Sequence, residues 1–332
     1  MNTSRRIDAY ALELFDAERS RTTIPQITAR DQAFSVDDAY AVQLTNINKA
    51  IGLGFTVSGK KIGLTSLAMQ KQLGVGEPDY GHLFHSMDCS DGAGGGDVDT
   101  GDLIQPKIEA EIAFVLKKEL SGGNVTPDDV SDATDYVVAA FEIVDSRIEN
   151  WKLKLADTVA DNASSGRYIL GADKVSLGGN GNANGVGTGI GKSSDAGDCV
   201  GIGADTAKSS DAGVGTGIGK SSDAGAGKCA GANADLPNIA MRMYKKAAGC
   251  EDLAGGELAG EELVGEGRGS DVMGDPRVAV AWLANKLWSY GVTLNAGEVI
   301  LSGAFSAAPA AKKGDVFRAE FDGIGKVEAR FI

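Results

Sequence analysis

Residues Gln105–Leu116 read QPKIEAEIAFVL, and the spacing within them decides between helix and strand. Ile108, Ala110 and Ile112 fall at every second position with Glu109 and Glu111 between them, which is the period of a strand whose side chains alternate between two faces. Glu109 and Glu111 therefore share one face. Close like charges on an otherwise apolar strand disfavour ionisation, so the pair implies solvent exposure, a shared proton or a bound cation.

A second apolar run, Tyr136–Arg147 (YVVAAFEIVDSR), carries Glu142. A lone buried carboxylate costs several kcal/mol unless it is paired, and the partner expected for Glu142 is a cation, Arg147 or a lysine. With no Cys or His nearby, three carboxylates make a hard-oxygen set suited to Mg2+ or Mn2+. Upstream, Gly59–Phe84 (GKKIGLTSLAMQKQLGVGEPDYGHLF) places Lys60 and Lys61 in a short strand and Asp79 in a Pro-bearing turn. A lysine entering such a strand can hold an anionic substrate and a loop aspartate can move a proton, although each, alone, is an ordinary surface charge. By composition, Asp157–Gly171 (DTVADNASSGRYILG) reads as a polar loop.

Outward from these strands the texture is mixed. Ile7, Tyr10, Ala11, Leu14 and Phe15 recur at helical spacing, and SVDD at Ser35–Asp38 is a capping sequence before Ala39, Val42 and Ile47, so residues 1–58 read as a helical region. Residues 59–332 read as a β-rich catalytic domain, with a helix over Val278–Tyr290 and strands near 298–302, 316–321 and 327–331. A Gly, Ala, Ser, Asp and Asn segment at about 178–235 interrupts it and holds too little apolar surface to offset its ordering entropy.

That segment contains GVGTGIGKSSDAG twice, at Gly185–Gly197 and Gly213–Gly225. A phosphate-binding loop requires G-x-x-x-x-G-K-[ST] after a strand and before a helix, but its first glycine falls on Val186 and Val214. The repeat is low-complexity duplication rather than a nucleotide site.

The 332 residues are 42% apolar, enough for a substantial core, with a formal charge of −14. No basic run follows a phosphate backbone, so nucleic acid and anionic membranes are poor partners. Cys89, Cys199, Cys229 and Cys250 are far apart and His82 and His85 are the two histidines, which supports neither a disulfide framework nor a zinc site. There is no G-x-S-x-G to support a serine hydrolase. MNTSRRIDAYALELFDAERS at the start has no uninterrupted apolar core, so the expected location is the cytoplasm.

GKKIGLTSLAMQKQLGVGEPDYGHLF, LIQPKIEAEIAFVL, FEIVDSRIENWKLKLADTVADNASSG and AGEVILSGA closely resemble the 2-oxopent-4-enoate (2-hydroxypenta-2,4-dienoate) hydratases. With the 4-oxalocrotonate decarboxylases, these belong to the fumarylacetoacetate hydrolase superfamily. The likeness covers about Met1–Leu177 and Pro237–Ile332; it fails in the glycine-rich insertion, and Gly249–Ser270 looks longer than the family's turn.

The resemblance implies an α+β fold with a mixed β-roll core and an N-terminal helical region. It implies Mg2+ or Mn2+ held by Glu109, Glu111 and Glu142, with Lys61 and Asp79 beside the substrate. Leu64 and Thr65 would shape the site through their backbone, and Asp161, Asn162 and Ser164 through their loop. The implied activity is hydration of a 2-hydroxydienoic acid to 4-hydroxy-2-oxopentanoate in meta-cleavage degradation of aromatic compounds. Decarboxylation of 2-oxohex-3-enedioate is the alternative, and a non-catalytic subunit of a complex between pathway enzymes is a third reading. Relatives imply a homo-oligomer.

Overall fold

Three helices come first in the computed structural model, which describes residues 3–66, 70, 75–177, 234–247 and 260–332. They are α1 (Thr3–Ser20), α2 (Ile27–Arg30) and α3 (Val36–Gly52). Ser35 caps α3 as its sequence suggests: its hydroxyl accepts from Asp38 N while the Asp38 carboxylate accepts from Ser35 N, an arrangement worth about 1 kcal/mol.

After Gly52 the hydrophobic period shortens to two. The strands are β1 (Val57–Gly63), β2 (Asp79–Phe84), β3 (Gly95–Val98), β4 (Lys107–Leu116), β5 (Thr134–Val144), β6 (Ser165–Leu170), β7 (Ala240–Lys246), β8 (Glu262–Arg268), β9 (Val299–Leu301), β10 (Val316–Phe321) and β11 (Gly325–Phe331). Helices α4 (Pro127–Ala133), α5 (Leu155–Ala160) and α6 (Pro276–Trp288) intervene. Asp275 caps α6 and Pro276 opens it, which sets its start two residues before the periodicity alone suggests.

The strands form two sheets, ordered β2-β1-β9-β4-β5-β6 and β3-β11-β10-β7-β8. Both are mixed, because β1 runs parallel to β9 and β11 parallel to β3. Ile108, Ala110, Ile112 and Phe114 of β4 and Val137, Ala139, Phe141 and Ile143 of β5 belong to the main core with Phe317, Phe321 and Phe331. Each large side chain buried there contributes about 1.5–3 kcal/mol. Leu14, Tyr40 and Val42 of the helical region join that core, so residues 1–58 are not a separate body. All described residues lie in one compact unit, Met1–Asn180 with Cys229–Ile332; the duplicated glycine-rich repeat lies outside the described residues.

Two stretches differ from their sequence reading. Asp157–Gly171 is α5, a tight turn and β6 rather than a polar loop, because Asp157 accepts bonds from Lys154 N, Thr28 and Gln26 and Tyr168 and Ile169 fill opposite faces of the sheet. Within Gly249–Ser270, residues Glu262–Arg268 form β8, paired with β7. Its glycines serve close approach: a Cβ on Gly267 would lie 2.0 Å from Phe305 O and one on Gly265 2.6 Å from Ser306 Oγ.

Candidate active site

The face of the six-stranded sheet opposite the main core carries Ala113, Val138, Ala140 and Leu301 in a smaller apolar cluster. By pleat alternation Glu109 and Glu111 of β4 lie on that face. Antiparallel register places Glu109 directly opposite Glu142, and Glu111 opposite the small Ala140. One oxygen from each of the three carboxylates lies within 4.8 Å of the others.

Nothing among the described residues fully satisfies this cluster. Gly303 N donates to Glu111 Oε2 at 2.8 Å, but Glu111 Oε1 and both Glu142 oxygens have no hydrogen-bond partner among the described residues. Lys61 Nζ is 3.3 Å from Glu142 Oε1, an ion pair whose geometry falls short of a hydrogen bond. Burial and mutual repulsion push the Glu111 carboxyl well up. Burial, opposed in part by Lys61, pushes Glu109 up and Glu142 up to about 8. Two full charges 4.8 Å apart repel by about 3 kcal/mol at an effective dielectric of about 20. An all-oxygen set with orphaned buried atoms fits a hard divalent cation.

Lys60 and Lys61 separate by the same alternation. Lys60 goes to the opposite face and pairs with Glu298 at 2.5 and 2.6 Å. Lys61 reaches Glu142 and donates to Ala163 O at 3.0 Å; burial opposes its charge, but Glu142, Asp79, Glu109 and Glu111 outweigh it and raise its pKa. Of the side-chain partners open to Glu142, the structure pairs it with Lys61. Arg147 is taken up by Asp161.

Asp79 opens β2 opposite Gly63. Thr158 Oγ1 of α5 donates to Asp79 Oδ2 at 2.6 Å, and Asp79 Oδ1 has no partner among the described residues. Gly63 makes room for this pair: a Cβ there would lie 2.4 Å from Asp79 Oδ1 and 3.1 Å from Lys61 Nζ.

A cavity of about 560 Å3 opens over these groups, with Lys61, Asp79, Thr158 and Glu109 in its wall. Leu64, Thr65 and Ser164 line it too. Asp161 and Asn162 do not; they border a separate cavity of about 300 Å3. Asp161 accepts from Arg147, Ser146 and Ser164, and the Asn162 amide bridges His82 N and His82 O at 2.8 and 2.9 Å. Between these anchors Asn162, Ala163 and Ser164 all take positive φ, 53°, 49° and 54°, a strained turn held by its surroundings. Its product is the aim of Ala163 O at Lys61. Asp161 and Asn162 thus anchor the turn that carries Ala163 O.

Thr158 and Gly63 escaped the sequence reading. A glycine inside the strand-like GKKIG is a recognised sign of close approach, whereas nothing local marks Thr158, whose partner is 79 positions away.

The fumarylacetoacetate (FAA) hydrolase C-terminal family model matches residues 99–332. A 2-hydroxyhexa-2,4-dienoate hydratase of Comamonas testosteroni is 34% identical, covering 100% of this chain and 99% of its own. A 2-keto-4-pentenoate hydratase of Paraburkholderia xenovorans (strain LB400) is 35% identical over 99% of this chain and 96% of its own. Among solved structures, 4-oxalocrotonate decarboxylase from Pseudomonas putida G7, complexed with magnesium and adipate, superimposes with a TM-score of 0.75 at 31% identity, covering 100% and 99% of the two chains.

Proposed function

The chain belongs to the fumarylacetoacetate hydrolase family, and on that footing we propose that it is a metal-dependent hydro-lyase of the 2-oxopent-4-enoate hydratase type. It adds water to 2-hydroxypenta-2,4-dienoate, giving 4-hydroxy-2-oxopentanoate, in meta-cleavage degradation of aromatic compounds. The observation that carries this reading is the three-carboxylate cluster, which reaches one cavity through Glu109 beside Lys61 and an Asp79 oxygen without a partner among the described residues.

Glu109, Glu111 and Glu142 would hold Mg2+ or Mn2+, which when bound supplies Lewis-acid polarisation of the substrate's 2-oxygen. Lys61, fixed by Ala163 O and Glu142, holds negative charge on the substrate anion. Asp79 Oδ1 delivers the proton to C5 as the dienol becomes the unsaturated 2-oxo acid, and then takes a proton from the water that adds at C4. The other hydrogen of that water stays on the C4 oxygen, and the proton released from the 2-hydroxyl on ketonisation goes to C3, so Asp79 is restored and the sum is addition of one H2O. Thr158 keeps Oδ2 of Asp79 occupied, which leaves Oδ1 for the transfers. Leu64, Thr65 and Ser164 shape the wall around the substrate.

The superposition on a 4-oxalocrotonate decarboxylase favours decarboxylation of 2-oxohex-3-enedioate as the second reading. Every candidate metal and acid–base side chain is present, which speaks against a non-catalytic subunit. Self-association fits the exposed Ile51 in the last turn of α3 and the exposed Leu53 and Phe55 just after it. The test is purified protein with Mg2+ or Mn2+ on both substrates, following loss of dienol absorbance and release of CO2. Hydration without CO2 release is expected; CO2 release without hydration would replace the first reading with the second.

A further inference from the structure

β4 carries Lys107, Glu109 and Glu111 at alternate positions, so the pleat sets Lys107 on the face of the two glutamates, about 6.8 Å before Glu109 along the strand. Lys107 and Glu109 both line the cavity. Lys60 and Lys61 each have a carboxylate partner. Lys107 Nζ has no hydrogen bond or ion pair among the described residues; instead it lies 4.2 Å from the ring centroid of Trp151.

Trp151 is a deliberate support. It and Asn150 take φ of 55° and 58°, a conformation L side chains rarely adopt, and its indole Nε1 donates to Gln105 O at 3.2 Å. It also borders the cavity. An aromatic face steadies an ammonium without neutralising it, so the charge stays available to an anion.

The arrangement has a direction. Asp79 pairs with Gly63 on β1, and because Lys61 pairs with Leu301 and Leu301 with Ala113, the register runs from Asp79 across the sheet toward Glu111, whose carboxylate meets Gly303 N just past β9. Lys107 lies four residues before Glu111 on β4 with Glu109 between them, so the glutamates of β4 stand between the acid–base end and Lys107. A 2-hydroxydienoate that presents C5 to Asp79 lays its C1 carboxylate at the other end. We propose that Lys107, held on Trp151, is a substrate-binding residue that receives the C1 carboxylate of the 2-oxo acid and so fixes which end of the chain meets Asp79. This rests on the hydratase reading for the identity of the acid.

The test uses the unreactive saturated analogue 2-oxopentanoate and its neutral amide, 2-oxopentanamide, titrated calorimetrically into the Mg2+-saturated protein. The wild type is expected to prefer the acid, Lys107→Met to lose at least tenfold of that preference, and Lys107→Arg to keep it within about threefold. Lys107→Gln replaces Lys107→Met should the latter melt early. An unchanged acid-to-amide ratio in the neutral variant, equal weakening of both ligands, or no measurable binding of the acid by the wild type would overturn the proposal. The hydration assay on the wild type is separate: its failure would remove the hydratase reading while leaving the anion preference and its dependence on Lys107 readable.

Discussion

Thr158 Oγ1 donates to Asp79 Oδ2 at 2.6 Å, and this bond from α5 to the first residue of β2 fixes which aspartate oxygen faces the cavity. A hydrogen bond to a charged group is worth about 1.5–3 kcal/mol, or about ten- to a hundredfold in rate when it acts at the reacting geometry. Thr158→Val is therefore expected to lower kcat at least tenfold with KM changed less than threefold, and Thr158→Ser to recover most of the loss. Unchanged kcat in the valine variant would show that Asp79 needs no such orientation.

The glutamate cluster makes a prediction with two opposite signs. Without metal, Glu109 and Glu111 contribute burial cost and repulsion, so Glu109→Gln with Glu111→Gln is expected to raise the melting temperature of the metal-free protein. With metal the order inverts: Mg2+ at a hundred times its Kd stabilises the wild type by about 2.7 kcal/mol and leaves the double variant unmoved and inactive. Scanning calorimetry with EDTA and with Mg2+ reads both. A double variant that keeps turnover would remove the metal site from these residues.

The legible part of the molecule was the part written in local periodicity. Glu109 and Glu111 share a face because strands alternate, and Ser35 caps a helix because its own side chain reaches Asp38 N; both can be read within a few residues. Register cannot. That Glu142 stands opposite Glu109, and that it meets Lys61 while Arg147 goes to Asp161, depends on how distant strands align. Asp161 and Asn162 carry polar side chains in the right loop, yet their hydrogen bonds point into the scaffold, and composition does not tell a scaffold contact from a substrate contact. Thr158 was invisible for the same reason.

Gly303 ties the two levels together. Its N–H donates to Glu111 of the glutamate cluster from just past β9, its φ is +108°, and a Cβ there would lie 2.3 Å from Thr65 Oγ1. Gly303→Ala is expected to cost about 1–3 kcal/mol from backbone strain alone and to weaken Mg2+ binding by moving the donor from Glu111. Denaturant unfolding and Mg2+ titration measure the two effects; a variant with native stability and native metal affinity would deny the constraint.

His82 predicts a pH dependence of the fold that is independent of catalysis. Gln43 Nε2 donates to Tyr80 O and Val159 O, which turns Gln43 Oε1 toward His82 Nδ1 at 3.0 Å, so the ring is a neutral Nδ1–H donor. Burial, reinforced by the Lys60 ammonium, lowers its pKa to about 3. Between the unfolded value of about 6.5 and the folded one, the unfolded chain binds a proton that the native protein does not. Stability contributed by neutral His82 is thus complete above about pH 6.5 and falls by about 1.4 kcal/mol per pH unit as acid is added. The raised glutamates oppose this in metal-free protein, so the comparison is between variants: urea unfolding at pH 7, 6 and 5 is expected to be steeper in pH for the wild type than for His82→Gln by about that slope. Equal slopes would mean that His82 takes up its proton in the native state, and that the Gln43 bond does not hold the ring neutral.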